Sequence, residues 1–524
     1  MSTIAEVGIH VNKTKQDALY IFAIVKEMIS AAIFSFGVIV AEASLWLPVK
    51  SWLRGRTAAT LGLLVISTTW LLYHYLTVTG LLFLVLSLYR VINLARFYKG
   101  RRQPEYLYTL TRSASLWLLA ASVIIVTVLV IDAAMSGQIL LLLAISLAFI
   151  ASLVITGATL RNLRKTRPVI VEPLTGTSVP TLSVLIPARN ETEDLEECLR
   201  TLVASRYDKL EIIVLDDCSQ NTRTPEIIKG FAHDGVRFMA GEAAPPYWTA
   251  KNYAYQQLSQ VASGDLLLFC GVDTRFQPET LGIMVAELKA RDKQMISYLP
   301  ANKIPPLWPP AQALVQAARY SWELSLPRRS LDRPPVLSTA WLVYAQPLQS
   351  AGGFSSARRA TTPERVLARY FAQSGDAYSF VQSDTHSGVR SQKSASEQVA
   401  TAVRTRYPQL HQSLELTALV SLLEFTVLVL PFVLYGITLW SRQMFLFAIV
   451  DVTAILLILN YAQVSNVTHR KFLWRSLLAA PLTGVYDILL LNYSMYKYEF
   501  SSVEWKGRNV CIPVMRVIDH LPND

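Results

Sequence analysis

Hydrophobic positions along this chain fall into two kinds of run. Long, unbroken ones lie at Met28 to Leu47, Ala58 to Val78, Leu81 to Ala95, Ser115 to Ile131 and Ile139 to Leu160, and again at Leu416 to Trp440, Met444 to Tyr461 and Phe472 to Tyr496. Several approach the roughly 20 residues that a helix needs to cross hydrocarbon. Thr77-Val78-Thr79-Gly80 and Ser441-Arg442-Gln443 leave room only for tight turns, so each joins a helical hairpin. The third C-terminal run holds Pro481, Gly484 and a central Asp487. A charge at mid-membrane costs about 2.5 to 3.5 kcal/mol, which predicts a broken, re-entrant or interfacial segment there that returns the tail to the cytoplasm.

Between these two regions the runs shorten. Leu182 to Ala188, Glu211 to Asp217, Val236 to Ala240, Asp265 to Asp273 and Gln294 to Leu299 read as strands. Glu193 to Ala204, Thr224 to His233, Ala250 to Ala262 and Pro278 to Arg291 read as helices between them. Strand and helix in alternation predict an α/β domain with a mainly parallel sheet covered on both faces. The expected organisation is a transmembrane region of about five helices over 1–165, the α/β domain over 166–412, a C-terminal membrane region over 413–500 and a tail over 501–524.

Composition and charge sharpen this picture. Of 524 residues, 52% are hydrophobic and 17% charged, which excludes a wholly soluble chain. Basic residues cluster at Lys50, Arg54 and Arg56, at Arg96, Lys99, Arg101, Arg102 and Arg112, and at Arg161, Arg164, Lys165 and Arg167. Two crossings separate each cluster from the next, so all three satisfy the positive-inside rule and the middle domain is expected on the cytoplasmic side. The net charge of +11 therefore belongs to membrane topology; without interleaved aromatic platforms it does not predict a nucleic-acid partner. Lys26-Glu27 precede the first run, which disfavours a removable signal peptide. Cys198, Cys218, Cys270 and Cys511 form no C-x-x-C pair and the seven histidines are scattered, so neither a zinc knuckle nor a disulfide framework is expected.

In parallel sheets ligands bind beyond the carboxyl ends of the strands. Three predicted strand ends carry polar clusters: Pro187-Ala188-Arg189-Asn190-Glu191, Asp216-Asp217-Cys218-Ser219 and Gly271-Val272-Asp273-Thr274. None contains a dinucleotide or P-loop glycine pattern. Singly, such acids are often helix caps or turn residues; three at successive strand ends point to a site.

These motifs are recognisable as a set. Leu182-Ser-Val-Leu-Ile-Pro-Ala-Arg-Asn-Glu191, Ile212-Ile-Val-Leu-Asp-Asp217, Trp248-Thr-Ala-Lys-Asn252, Leu266-Leu-Leu-Phe-Cys-Gly-Val-Asp-Thr274 and Ala351-Gly-Gly-Phe354 resemble the family-2 inverting glycosyltransferases, which implies a GT-A fold, Rossmann-like, flanked by transmembrane α-helices. The chain looks most like the membrane enzymes of the ceramide-glucosyltransferase, hopanoid and carotenoid glycosyltransferase group, whose Trp-Arg/Lys-Gly-Arg element is similar to Trp505-Lys-Gly-Arg508. The five N-terminal runs lie outside the resemblance.

The resemblance implies roles. Pro187, Arg189 and Glu191 would surround a nucleotide, with Asp216 or Asp217 on base and ribose. Asp273 matches the last aspartate of the family's Asp-x-Asp element, which holds Mg2+ or Mn2+; the first is replaced by Gly271, and a turn-forming role for Asp273 is the alternative. Lys251 would meet diphosphate, or else be an ordinary solvated lysine. Glu364 falls where relatives carry the base, preceded by Pro363 in place of a glutamate; its alternative is a surface ion pair with Arg365 or Arg369. The family's Gln-x-x-Arg-Trp is approached only by Arg404-Thr-Arg406-Tyr407, where either arginine would bind phosphate or the helix would lie on anionic lipid. Trp505 and Arg508 complete the substrate-binding set.

The expected activity is transfer of a sugar from a nucleotide-diphosphate donor to a lipid or lipid-linked acceptor by an integral membrane enzyme, in a bacterial plasma membrane, with Ile304 to Arg333 recognising the acceptor. A processive polysaccharide synthase and a catalytically impaired nucleotide-sugar sensor are the alternatives, the latter because Gly271 and Pro363 fall at positions on which catalysis leans.

Overall fold

The structure, a computed structural model, describes residues 138–302, 320–321, 323–325, 334–384, 388–410, 412–441, 444–468 and 473–509. The first four apolar runs, most of Ile304 to Arg333 and the last residues of the tail lie outside the described residues. Two compact units partition the chain: 1–148 with 413–426, and 149–412 with 427–524. The described part of the first comprises the start of helix α1 (Gln138–Lys165) and helix α8 (Leu414–Glu424), whose Ser413 side chain caps the Leu416 amide at 3.2 Å.

The second unit contains the α/β domain. Its main sheet has seven strands in the order β3-β2-β1-β4-β6-β5-β7, from β1 (Leu182–Ala188), β2 (Leu210–Asp216), β3 (Val236–Ala240), β4 (Leu266–Cys270), β5 (Met295–Leu299), β6 (Ala340–Tyr344) and β7 (Tyr378–Gln382). The five strands expected from the sequence are present with ends shifted by no more than a few residues. All run parallel except β6, which pairs antiparallel with β4 and β5. β6 and β7 were not anticipated from the sequence: Ala340-Trp-Leu-Val-Tyr344 is fully apolar and short, and such a run carries no period that separates strand from buried helix.

Helices α2 (Glu193–Val203), α3 (Arg223–Gly230), α4 (Ala250–Val261), α5 (Thr280–Ala290) and α6 (Pro363–Gln373) cover the two faces. One face buries Val184, Ile186, Leu199 and Met284; the other buries Leu185, Tyr255, Phe269, Trp341 and Phe354. In the second cluster Phe269 stacks on Trp341 at 4.2 Å between ring centres, and Tyr255 meets both edge-on. Pro187 is seated where the β1–β4 pairing has already ended at Leu185, so its missing N–H interrupts nothing on that side.

Three described helices are long and apolar enough to cross a membrane: Leu142–Lys165, Leu416–Gly436 and Ala448–Val467. Leu416–Gly436 contains a π-helical turn at Phe425–Val429, followed by α9 (Leu430–Ser441) and then α10 (Met444–Thr468). α1 is locked to the α/β domain at its C-terminal end, where Asn162 Nδ2 donates to the Leu324 carbonyl at 2.7 Å and Gln382 Nε2 donates to that of Leu163 at 2.8 Å. The break expected in the third C-terminal run is absent: Leu473–Phe500 is one helix of 28 residues, α11, continuous through Pro481. Asp487 does not force a break because it is paired. Arg406, on α7 (Ala395–Gln409), donates from Nη2 to Asp487 Oδ1, with both side chains buried. Tyr407 is also buried there and donates its hydroxyl to Glu499 Oε1 at 2.5 Å. Arg406 and Tyr407 are thus turned against α11 instead of toward lipid.

Candidate functional site

The carboxyl end of β1 and that of β2 lie side by side, with Ala188 in register with Asp216. Beyond them the chain turns sharply: Asn190 and Cys218 both adopt positive φ. Asp216 Oδ1 accepts from the Ser219 amide at 3.2 Å, which closes the turn. Arg189 is buried and spends its guanidinium inward, on the carbonyls of Asp217 (2.7 Å), Cys218 and Lys506 (2.9 Å). It holds two strand ends and the tail in one piece.

The tail arrives as a two-stranded hairpin, Glu504–Trp505 with Arg508–Asn509. Lys506 and Gly507 form its tip with φ of 49° and 77°, a turn that glycine permits without strain. A Cβ on Gly507 would also stand 3.0 Å from Gln220 Oε1. The tip sits on the strand-end acids. Lys506 Nζ lies 2.9 Å from Glu191 Oε2, and Arg508 Nη1 lies 2.6 Å from Asp217 Oδ2. Asn190 Nδ2 adds a hydrogen bond to the Lys506 carbonyl at 3.1 Å. Burial pushes both carboxyls above their ordinary range, against the opposing pull of Lys506 on Glu191 and Arg508 on Asp217. Trp505, half-buried, lies under the Arg404 guanidinium at 5.0 Å, a cation–π contact that ties the hairpin to α7.

At the end of β4, Asp273 Oδ2 accepts from Ser391 Oγ at 3.2 Å and lies 3.9 Å from Lys393 Nζ. Gly271 has a local reason: a Cβ there would stand 2.5 Å from Asp273 Oδ1. The carboxylate folds back into the space that a side chain would fill. Among the described residues no group of three His, Cys, Asp or Glu converges to hold a metal. An ion at Asp273 would therefore have at most two such protein ligands among the described residues, a set that suits Mg2+ or Mn2+ when the remaining ligands are phosphate oxygens and water.

Glu364 lies in the first turn of α6, where Pro363 occupies a position that needs no amide donor. It is 2% exposed, so the surface ion pair with Arg365 is not formed; Arg365 instead pairs with Glu323 at 2.5 Å. Glu364 Oε2 has no hydrogen-bond partner and faces Lys251 Nζ at 3.8 Å. Lys251 belongs to the first turn of α4 and also covers the Tyr255 ring at 5.2 Å. Asn252 positions both segments, donating from Nδ2 to the carbonyls of Ala357 (2.6 Å) and Ala360 (2.8 Å) just before α6.

Tyr255 lies within the electrostatic reach of Glu364 and Asp273. Buried among Phe269, Trp341 and Phe354, it is raised well above a normal tyrosine, first by burial and then by the fields of Glu364, Cys270 and Asp273, with Arg404 opposing. Asp273 in turn acts on Asp194, and Asp194 on Glu191. Sequence reasoning did not single out Lys506, Asn252 or Tyr255. Lys506 stood inside the Trp-Lys-Gly-Arg element and Asn252 inside Trp248-Thr-Ala-Lys-Asn; Tyr255 carried no signal.

Residues 183–324 match the family described as Glycosyl transferase family 2. Glycosyltransferase AglE from Haloferax volcanii is 31% identical over 100 residues, which cover 18% of this chain and 31% of that protein. The match thus spans under a third of that relative's length. Among solved structures, mannosyltransferase PcManGT from Pyrobaculum calidifontis, in complex with GDP-Man and Mn2+, aligns at 15% identity and a TM-score of 0.41 over 68% of this chain and 99% of that one. TarS 1-349 of S. aureus aligns at 14% identity and a TM-score of 0.29 over 61% of this chain and 91% of its own. Both sequence comparisons support a glycosyltransferase, with a family 2 domain matched over residues 183–324.

Proposed function

We propose that this chain is a membrane-embedded inverting glycosyltransferase that moves a sugar from a nucleotide-diphosphate donor to a lipid or lipid-linked acceptor. The observation that carries the proposal is Glu364: a buried carboxylate whose Oε2 has no hydrogen-bond partner, set between a lysine on one side and a small cavity on the other. A general base needs that exposure of one oxygen to a reacting group and shelter from water.

In this mechanism Glu364 Oε2 takes the proton of the acceptor hydroxyl as its oxygen bonds to the anomeric carbon. The bond from that carbon to the diphosphate oxygen breaks, and the electron pair leaves with the nucleoside diphosphate. Lys251 faces the growing charge, since a cation beside a departing diphosphate stabilises it. Asp273 would hold the divalent ion, which when bound neutralises diphosphate oxygens. Glu191 and Asp217, with the hairpin cations Lys506 and Arg508, form the nucleotide side. The Trp505-Lys-Gly-Arg508 element supports a kinship with the ceramide-glucosyltransferase, hopanoid and carotenoid group. The three helices of membrane-crossing length favour an acceptor that is itself in the membrane.

The test is donor turnover by the full chain in lipid, comparing the parent with Asp273→Ala and Glu364→Gln across a panel of nucleotide sugars. Nucleoside diphosphate release that depends on added lipid, lost in both variants, is expected. A parent that binds donor yet neither transfers nor hydrolyses it, with any divalent ion or lipid extract, sinks the proposal.

A further inference from the structure

Lys251 and Glu364 follow two loops that meet at an exposed contact. The loop between β3 and α4 turns at Tyr247, whose φ of 72° is left-handed. A bulky side chain is an outlier there, whereas glycine adopts that conformation without strain. Tyr247 is 42% exposed, so burial does not hold it in place. What its ring touches is Arg359, whose guanidinium carbon stands 4.5 Å from the ring centre. Arg359 is itself exposed and enters no ion pair among the described residues. An exposed cation–π contact is weak and does not offset the left-handed backbone of a tyrosine. Strain of this kind persists where the surrounding structure imposes it, and it gathers at functional sites.

Here the surroundings are two segments tied side by side. The Thr249 amide donates to the Arg358 carbonyl at 2.9 Å, and Asn252 Nδ2 donates to the carbonyls of Ala357 and Ala360. Tyr253 secures the first segment to α4, donating its hydroxyl to Glu242 Oε2 at 3.1 Å and meeting the Trp248 ring edge-on at 5.7 Å. We infer that Tyr247 and Arg359 form a latch that holds the two loops together and thereby sets the 3.8 Å separation of Lys251 Nζ from Glu364 Oε2. The inference rests on the glycosyltransferase proposal and adds to it two positioning residues. That separation suits the proposed reaction. It exceeds hydrogen-bond distance, which leaves Oε2 open to a hydroxyl proton, yet it keeps a cation beside the departing diphosphate. With the latch open the loops can slide, and Lys251 either closes on the carboxylate and occupies it or swings away from the leaving group. Either change lowers kcat. Neither disturbs the nucleotide side, which is built from Glu191, Asp217 and the tail hairpin.

The experiment uses the full chain in lipid with the nucleotide sugar that the parent turns over, and reads steady-state nucleoside diphosphate release beside thermal unfolding. Tyr247→Gly and Arg359→Ala are each expected to lower kcat at least tenfold while the donor KM stays within twofold. Tyr247→Phe, which keeps the ring face, should stay within twofold of the parent in kcat, and Arg359→Lys should recover part of what Arg359→Ala loses. Tyr247→Gly relieves the strained turn, so its unfolding midpoint should not fall below that of the parent; it also covers the case in which Arg359→Ala does not fold. In a Lys251→Ala background, Tyr247→Gly should lower the residual kcat by less than a further twofold, because the latch acts through the lysine. An unchanged kcat in Tyr247→Gly overturns the inference and leaves the glycosyltransferase proposal standing. So does a loss of kcat that tracks a lowered midpoint, or one that is fully additive with Lys251→Ala. No donor turnover by the parent overturns both.

Discussion

The guanidinium of Arg508 stands 2.6 Å from the carboxylate of Asp217, although 291 residues separate them. The pair closes the tail hairpin onto the end of β2, and Lys506 repeats the arrangement on Glu191. A tail that follows the last helix thereby becomes a wall of the proposed nucleotide side.

Arg508→Gln leaves the buried Asp217 without its cation. Hydrogen bonds to charged groups are worth about 1.5 to 3 kcal/mol, so donor affinity should fall roughly 10- to 100-fold. The check is calorimetric titration of the parent, both single variants and Asp217→Asn/Arg508→Gln. If the two groups act as a unit, the double variant should bind no worse than the weaker single.

Glu364→Gln keeps the shape and removes the proposed base. We expect kcat to drop by about 10²- to 10⁴-fold with donor KM little changed, measured in steady state at saturating lipid. A variant that retains full kcat removes Glu364 from the mechanism and leaves the rest of the site intact.

Gly271→Ala separates geometry from stability. The added Cβ meets only the end of the Asp273 side chain, which can swing away. Thermal stability should hold or rise by up to about 1 kcal/mol, while the divalent-ion concentration for half-maximal activity increases. Unchanged ion dependence would show that the carboxylate's pose is not needed.

Arg406 and Asp487 should show the asymmetry of a buried pair. Removing one partner, as in Asp487→Leu, is expected to cost about 3 to 5 kcal/mol. Replacing both, as in Arg406→Met/Asp487→Leu, should recover most of it, read as thermal unfolding in detergent.

The acids under the hairpin predict a pH dependence with a definite sign. Burial raises Glu191 and Asp217 above their ordinary values of 4.5 and 3.8, so the folded chain holds these protons more tightly than the unfolded one. Their contribution to stability is therefore full below those ordinary values and lost as pH rises through the raised ones. Glu191→Gln/Asp217→Asn should lose less stability than the parent between about pH 4 and pH 7, followed by thermal unfolding across that range.

Local pattern was sufficient for β1 to β5 and the helices between them, because each repeats its period over its own length and is bounded by turn residues. It also placed Asp217 and Asp273 at strand ends, whereas Glu364 came only from the family resemblance. It failed for β6 and for α11. Ala340-Trp-Leu-Val-Tyr344 is uniformly apolar because it is buried in mid-sheet, and uniformity erases period. Asp487 looked like a helix breaker because its partner Arg406 is 81 residues away.

What sequence alone determined, then, is the α/β order, the apolar runs on either side of it and the identity of the acids at the strand ends. Each depends on neighbours in the chain. Tertiary structure decided what those acids face: Lys506 on Glu191, Arg508 on Asp217, Lys251 and an open cavity on Glu364. Those partners arise from folding over distances of a hundred residues or more, and a carboxylate's environment is set by such contacts, not by the residues beside it.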